Sequence, residues 1–351
     1  MKRLFSHQKR TFLALLLPLF LAFFSPVFAQ HDGHEEVANE HHEAEAFNVS
    51  DVILEHVKDS HVWHFTESVV LPLPVIVYTK EDGLKIFSSG NFFDHHQVVP
   101  YGDYTLDHEH IFYKGQAVLD LSITKNVMML FINSALMLLI FITAGRAYAK
   151  RKGLAPKGVQ SFMEPIILFV KDEIVKPNIG PRYWAYLPYL LTLFFFIFFG
   201  NLLGLLPGAA NLTGNIAVTA CLALLTFIIT NVNGNAGYWG HIFWTPGVPH
   251  WMRVIILPVE LIGVFTKPFA LTVRLFVAIT AGHIVLLALT SLTFIFQSWT
   301  VGIGTSLVNI FISLIELLVA GIQAYVFTMF TALYIGQAIA EHEHHDEAHG
   351  H

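Results

Sequence analysis

The sequence predicts an all-α polytopic membrane protein of about five spanning helices, the last two forming a long antiparallel hairpin. Three observations carry that prediction. Hydrophobic residues make up 54% of the 351 positions and charged residues only 13%, with mean hydropathy +0.56, too apolar for a soluble domain. The apolar residues gather in runs long enough to cross the roughly 30 Å of hydrocarbon in a bilayer. Four ionisable residues, Lys267, Arg274, His283 and Glu316, nevertheless stand inside the last two runs. An amphipathic helix on the cytoplasmic face and a small external N-terminal region with strand signals complete the expected architecture.

Charge and cysteine content exclude several functions. The formal net charge is −6, with acids and histidines crowding both ends, so no basic nucleic-acid footprint exists and no nucleic-acid partner is expected. The single cysteine, Cys221, lies in an apolar run and offers neither a disulfide framework nor a thiolate metal site. No phosphate-binding loop or nucleophile triad is present. No cofactor is expected.

Residues 1–29 carry Lys2, Arg3, Lys9 and Arg10, an apolar core from Phe12 to Phe24, and Val27-Phe28-Ala29, small at the positions that precede cleavage. That pattern reads as a secretory signal peptide with Gln30 as the mature start; a retained first span is the competing reading, against which the core is short. Residues 30–113 would then lie outside the cytoplasm. Their first part is acidic and rich in histidine (His31, His34, His41, His42, His56, His61, His64). Clustered imidazoles can hold zinc or copper, but the spacing is irregular and a solvated tail explains it as well; no metal site is expected. Ser68 to Tyr78 and Leu84 to Phe87, parted by Glu81-Asp82-Gly83, read as strands.

Residues 114–341 form the expected membrane domain. The first span, Val127 to Ala144, ends at Arg146, Lys150, Arg151, Lys152 and Lys157, the densest basic loop, which the positive-inside rule puts in the cytoplasm. The stretch from Gln160 to Val175 sets Phe162, Ile166, Phe169 and Val170 against Lys171, Asp172 and Glu173, as an interfacial amphipathic helix would. Spans from Trp184 to Leu206 and Gly214 to Val232 follow, then a polar loop from Asn231 to Gly240. The hairpin from Pro258 to Ala340 turns near residue 299 and leaves the His- and Glu-rich tail, residues 342–351, inside.

Numbers at one level of an antiparallel pair have a constant sum: Arg274 and Gln323 give 597, His283 and Glu316 give 599. Two polar pairs therefore share two levels. Glu260, Lys267 and Arg274 recur every seven residues and lie on one stripe, whereas His283, nine residues further on, is turned by about 180° and displaced by about 13 Å. Charges in hydrocarbon cost several kcal/mol, so they face a bundle interior, a water path or a partner, or pair for structure alone. Arginine keeps its proton, so Arg274 can gate but not relay; His283 and Glu316 can relay. Gln323 is placed to hold Arg274. Asn201 and Asn215, at facing ends of the middle spans, serve either as helix-end hydrogen bonds or as the lining of an aqueous entry.

These residues resemble the a subunit of F-type ATP synthases. LTVRLFVAITAGH (Leu271–His283) is similar to that family's arginine helix, and GIQAYVFTMFTALYI (Gly321–Ile335) to its last helix; FFGNLLGLLPG (Phe198–Gly208) and TGNIAVTACLAL (Thr213–Leu224) resemble its middle spans. The resemblance covers Thr124 to Glu341. It implies that Arg274 faces a ring of c subunits, that Gln323 accompanies it, and that His283 and Glu316 are paired proton-path positions. Glu260 then matches an acid near the cytoplasmic exit, and Asn201 and Asn215 match polar positions of the middle helices. Two departures stand out: Val277 and Ala278 replace the family's frequent Gly-Asn, and Gly204 stands where some members carry an acid.

The implied function is proton translocation through two half-channels against the ring, coupled to ATP synthesis, with no covalent chemistry in this chain. Implied partners are the c ring, a b-subunit stalk, other ATP synthase subunits and the lipid bilayer. The implied location is the bacterial inner membrane, N-terminus periplasmic and C-terminus cytoplasmic. Proton rather than sodium coupling is favoured because histidine suits a hard alkali cation poorly. A stand-alone proton-coupled secondary transporter is the alternative, although the internal repeats common in such proteins are not evident.

Overall fold

The computed structural model describes residues 59–66, 69–94, 97–107, 109–150, 155–206, 208–244, 249–296 and 298–340. The expected signal peptide, the His- and acid-rich stretch before residue 59 and the C-terminal tail lie outside these residues.

The β-rich region expected near the N-terminus is present. Strands β1 (Val62–Thr66) and β2 (Val69–Pro72) pair, as do β5 (Phe93–Asp94) and β6 (Gln97–Val98). β3 (Pro74–Thr79) lies between β4 (Gly83–Ser88) and β10 (Leu119–Asp120); β8 (His110–Tyr113) lies between β7 (Tyr104–Asp107) and β9 (Gln116–Ala117). The strands thus run on past residue 113. The turn joining β3 to β4 closes on Gly83, whose φ of +70° is open to glycine at no steric cost. Alternation along β3 buries Val75 and Val77 against Phe92, Tyr104 and Ile111, a small core of its own.

A charged clamp closes this unit, and bonds on either side of it reach the helices. His61 is 3% exposed, with Nδ1 3.1 Å from Glu109 Oε2 and Nε2 3.0 Å from Asp120 Oδ2. Burial alone would lower its pKa, but the hydrogen bonds and charges of Asp120 and Glu109 outweigh burial and raise it to about 9. Both carboxyl groups are in turn held below their ordinary values, the ion pair with His61 overcoming the burial that would raise them. One residue earlier than Ser60, the Asp59 carboxylate accepts from Thr124 Oγ1 at 2.8 Å and from the Asn126 amide at 3.1 Å, satisfying a free N–H at the first helix's start. The Trp63 indole donates to the Gly208 carbonyl at 2.6 Å, and its ring packs with Met129, Ala210 and Leu212.

The clamp gives a pH prediction. The folded His61 value lies above the ordinary 6.5, so its stabilisation is complete below about pH 6.5 and is lost as pH rises through 9. The lowered carboxylates add a term that is lost on strong acidification, as pH falls through their folded values. His61 alone is worth at most roughly 3 kcal/mol. Amide hydrogen exchange in β3 and β10 is therefore expected to accelerate between pH 7 and 10 beyond its intrinsic base catalysis, and His61→Gln is expected to remove that excess.

Eight helices follow among the described residues: α1 (Lys125–Lys150), α2 (Val159–Phe169), α3 (Lys176–Ile179), α4 (Tyr183–Gly204), α5 (Ile216–Asn233), α6 (Ala236–Phe243), α7 (His250–Phe296) and α8 (Trp299–Ile339). Five segments are long and apolar enough to cross a membrane: Lys125–Lys150, Val159–Gly204, Ile216–Asn233, Trp251–Thr293 and Trp299–Ile339. The amphipathic stretch runs on through a π-helical turn at Val170–Val175 and α3 to Gly180, where a φ of +75° breaks the helix before the second span begins. Its buried stripe is Met163, Val170 and Ile174, while Phe162 and Phe169 stay exposed. A π turn holds an extra residue, which shifts the inward face relative to an unbroken helical count. The polar stretch after the third span is also partly helical, since α6 occupies residues read as loop.

The core lies where α4, α7 and α8 meet, around Leu190, Phe195, Leu271, Leu275, Phe327 and Ile335. At the C-terminal end of α8, Gly336 lies against the Asn178 carbonyl so closely that any Cβ would collide with backbone. The Asn235 amide donates to Ala338 O at 2.8 Å, fixing α6 to the same helix end.

Near the hairpin turn the pairing follows the predicted sum. Thr293 and Thr305 share a hydrogen bond of 2.7 Å, summing to 598; Asn309 donates to Thr290 at 3.0 Å, summing to 599. Towards the open end the contacts of long side chains sum to 604, in Arg274 with Phe330 and Lys267 with Gln337. Helical side chains tilt towards their own N-terminus, so in an antiparallel pair the two partners lean towards each other. Long side chains therefore meet at sums five to six above those of the short ones.

Candidate functional site

Two small clefts flank the level of Arg274. Asn201, Asn211, His283 and Glu316 are among the residues lining the first. Glu316 is 8% exposed, and its Oε2 has no hydrogen-bond partner among the described residues. Such an atom is costly to bury unless water or a transferred proton meets it. A Cβ added at Gly282 would lie 2.5 Å from Glu316 Oε1, so glycine there admits the carboxyl group between the two arms.

The opposite wall of this cleft comes from the middle spans. Asn201, 2% exposed, donates to the Ala320 carbonyl at 3.2 Å and accepts from Thr213 Oγ1 at 2.6 Å, which ties α4 to α8 and to the loop before α5. Asn211 Oδ1 accepts the Gly214 amide at 3.1 Å. Asn215 does something else: its Oδ1 accepts the Ala217 amide at 2.8 Å and caps α5. Of the two asparagines singled out from sequence, only Asn201 lines the cleft with His283 and Glu316.

Arg274 is exposed on α7, while Leu271 and Leu275 beside it are buried. Its guanidinium lies 4.4 Å from the Phe330 ring centroid, a cation–π contact. Among the described residues no hydrogen bond joins it to Gln323, the partner expected from the 597 level, because the long side chain leans the other way. Gln323 remains partly buried on α8.

The second cleft is lined by Thr226, Thr230, Asn231, Tyr238, Lys267 and Tyr334 among others. Lys267 Nζ donates to Gln337 Oε1 at 3.3 Å and stands 5.2 Å from the Tyr334 ring centroid. Glu260, two turns towards the N-terminus of α7, lies 3.8 Å from His241 Nδ1. Burial, and then the charge of Glu260, push the Tyr238 hydroxyl up to about 12, so it stays a neutral donor at ordinary pH. Along α7, His283 and Lys267 are about 24 Å apart and Arg274 falls between them.

Sequence reasoning missed Asn211, Thr213, Tyr238 and His241. The run Asn231–Trp244 carried a signal in its aromatic and polar mixture, but only the fold brings it back onto Glu260 and Lys267.

Five apolar helices that carry ionisable side chains within their spans define a polytopic membrane protein. The chain belongs to the ATP synthase A chain family, whose model matches residues 127–336. It is similar to ATP synthase subunit a of Chloroherpeton thalassium, 47% identical over 238 residues that cover 66% of this chain and 71% of that protein. It is similar along nearly its whole length to ATP synthase subunit a 2 of Prosthecochloris aestuarii, 40% identical and covering 95% of this chain and 94% of the other. Residues 52–128 match a second model, described as a domain of unknown function (DUF8433), which takes in the strands and the start of α1.

Proposed function

We propose that this chain is the proton-translocating a subunit of the membrane sector of an F-type ATP synthase, forming two half-channels against a rotating ring of c subunits. The observation that carries the reading is the pair of clefts at different depths, with the level of Arg274 between them. In this reading a proton enters past His283 and Glu316 and neutralises a carboxylate on the ring. It rides round through lipid and leaves by the second cleft near Lys267 and Glu260. Asn201 orders the entry wall, and Gln323 polarises the ring-facing surface beside Arg274. Asn215 shapes the entry by fixing the start of α5. The chain breaks no covalent bond.

The mature N-terminus lies in the periplasm after removal of the signal peptide, the strand-rich unit lies at the entry side, and the C-terminus is cytoplasmic in the inner membrane. A b-subunit stalk and the other ATP synthase subunits complete the assembly. The driving free energy is roughly 2.3 kcal/mol per charge per 100 mV, so a leak past Arg274 would dissipate it. Protons rather than sodium ions are carried, in keeping with a relay of imidazole and carboxylate.

Mild-detergent purification tests the assembly: the chain is expected to co-purify with a ring of small subunits and an ATPase whose pumping in vesicles needs no sodium. A lone chain that transports protons by itself would overturn the reading.

A further inference from the structure

Short helix α6 turns two side chains towards α7. Tyr238 enters the second cleft, and His241, one turn on, holds Nδ1 3.8 Å from Glu260 Oε1. The side chains of both partners are partly open, 47% for His241 and 34% for Glu260, so water reaches the pair. The charged and titratable groups around it are Glu260 and Lys267 on α7 and Tyr238 on α6, with Arg253 lying over Trp244 at 4.1 Å just beyond the helix end. The arrangement puts an imidazole, open to solvent, beside Glu260, an acid two helical turns from Lys267 in the cleft wall.

We propose that His241 is the proton-exchange residue at the mouth of the second cleft, passing protons between Glu260 and bulk water. The inference rests on the half-channel reading above. In the transfer, the O–H bond of protonated Glu260 breaks and an N–H bond forms at Nδ1. One water, or a small rotation of either side chain, spans the 3.8 Å, which is beyond direct hydrogen-bond reach. The imidazolium then loses its Nε2 proton to water or buffer base, and exchange with solvent restores the first tautomer. The reverse order serves ATP-driven pumping in the opposite direction. Tyr238, whose hydroxyl donates to Asn231 Oδ1 at 3.3 Å, remains neutral and does not compete for the proton.

The test uses the intact complex in vesicles. His241→Gln keeps the size and polarity of the side chain but cannot shuttle a proton. It is expected to slow ATP-driven pumping by about tenfold, less than full general acid–base contributions because water also enters the cleft. Imidazole added at the face where this cleft opens is expected to restore most of the rate. His241→Glu is expected to pump with its pH dependence moved to the acid side. A His241→Gln complex that pumps at the unaltered rate with the unaltered pH profile overturns the inference, as does a loss in an intact complex that neither imidazole nor His241→Glu relieves. Arg274→Ala in parallel separates the two failures: if it leaves coupled pumping intact, the half-channel reading itself fails; if it abolishes pumping while His241→Gln is silent, only the role of His241 falls.

Discussion

Arg274→Ala is expected to cut coupled proton pumping in vesicles by at least a hundredfold and to leave a passive leak behind. The guanidinium is exposed at a level between two clefts that approach it from opposite sides, and Phe330 is its recorded contact. A unit charge about 6 Å from a passing proton is worth about 3 kcal/mol at an effective dielectric of 20, or about a hundredfold in rate. Arginine supplies that barrier at every working pH because it does not deprotonate. Arg274→Lys should restore the barrier only in part, since a desolvated ammonium can lose its proton and lacks the planar face that lies over Phe330. The measurement is ATP-driven quenching of a pH-sensitive dye together with passive proton leak, in vesicles with matched amounts of assembled complex. Normal coupling in the alanine variant would remove Arg274 from the gate.

Glu316→Gln carries the second large expectation: proton flux falls by roughly a hundredfold or more, the low end of general acid–base contributions, while the complex still assembles. Glutamine fills the same space beside Gly282 and retains an oxygen acceptor, so the packing of α7 against α8 should survive. What it cannot do is gain and lose a proton at Oε2, the atom that stands buried without a partner among the described residues. Glu316→Asp keeps the chemistry with a shorter reach and is expected to recover part of the flux. Equal flux in wild type and Glu316→Gln, measured in both directions of pumping, would mean that His283 and cleft water suffice without the carboxyl group.

Much of this site was legible as sequence because it rests on long repeats of simple geometry. Five apolar runs and the turn near residue 299 reappear, and the predicted antiparallel sums of 597 and 599 lie close to the 598 and 599 of Thr293 with Thr305 and Thr290 with Asn309. Side-chain lean was not legible from residue numbers. It moved Arg274 onto Phe330 instead of Gln323, and Lys267 onto Gln337. The difference between Asn201 and Asn215 was equally hidden, since both asparagines sit at helix ends and only one of those ends turns towards Glu316.

By itself, the sequence determined the membrane architecture, with its five apolar runs and the hairpin of the last two. Those features depend on hydrophobicity and on periodicities of a few residues, which neighbouring positions encode. Only the tertiary structure decided that Asn211 joins the entry cleft, that His241 returns to Glu260, and that His61 is locked between Glu109 and Asp120, 48 and 59 residues away. Those pairings depend on how separate elements pack, and no local pattern of residues records which distant side chain will fill a given space.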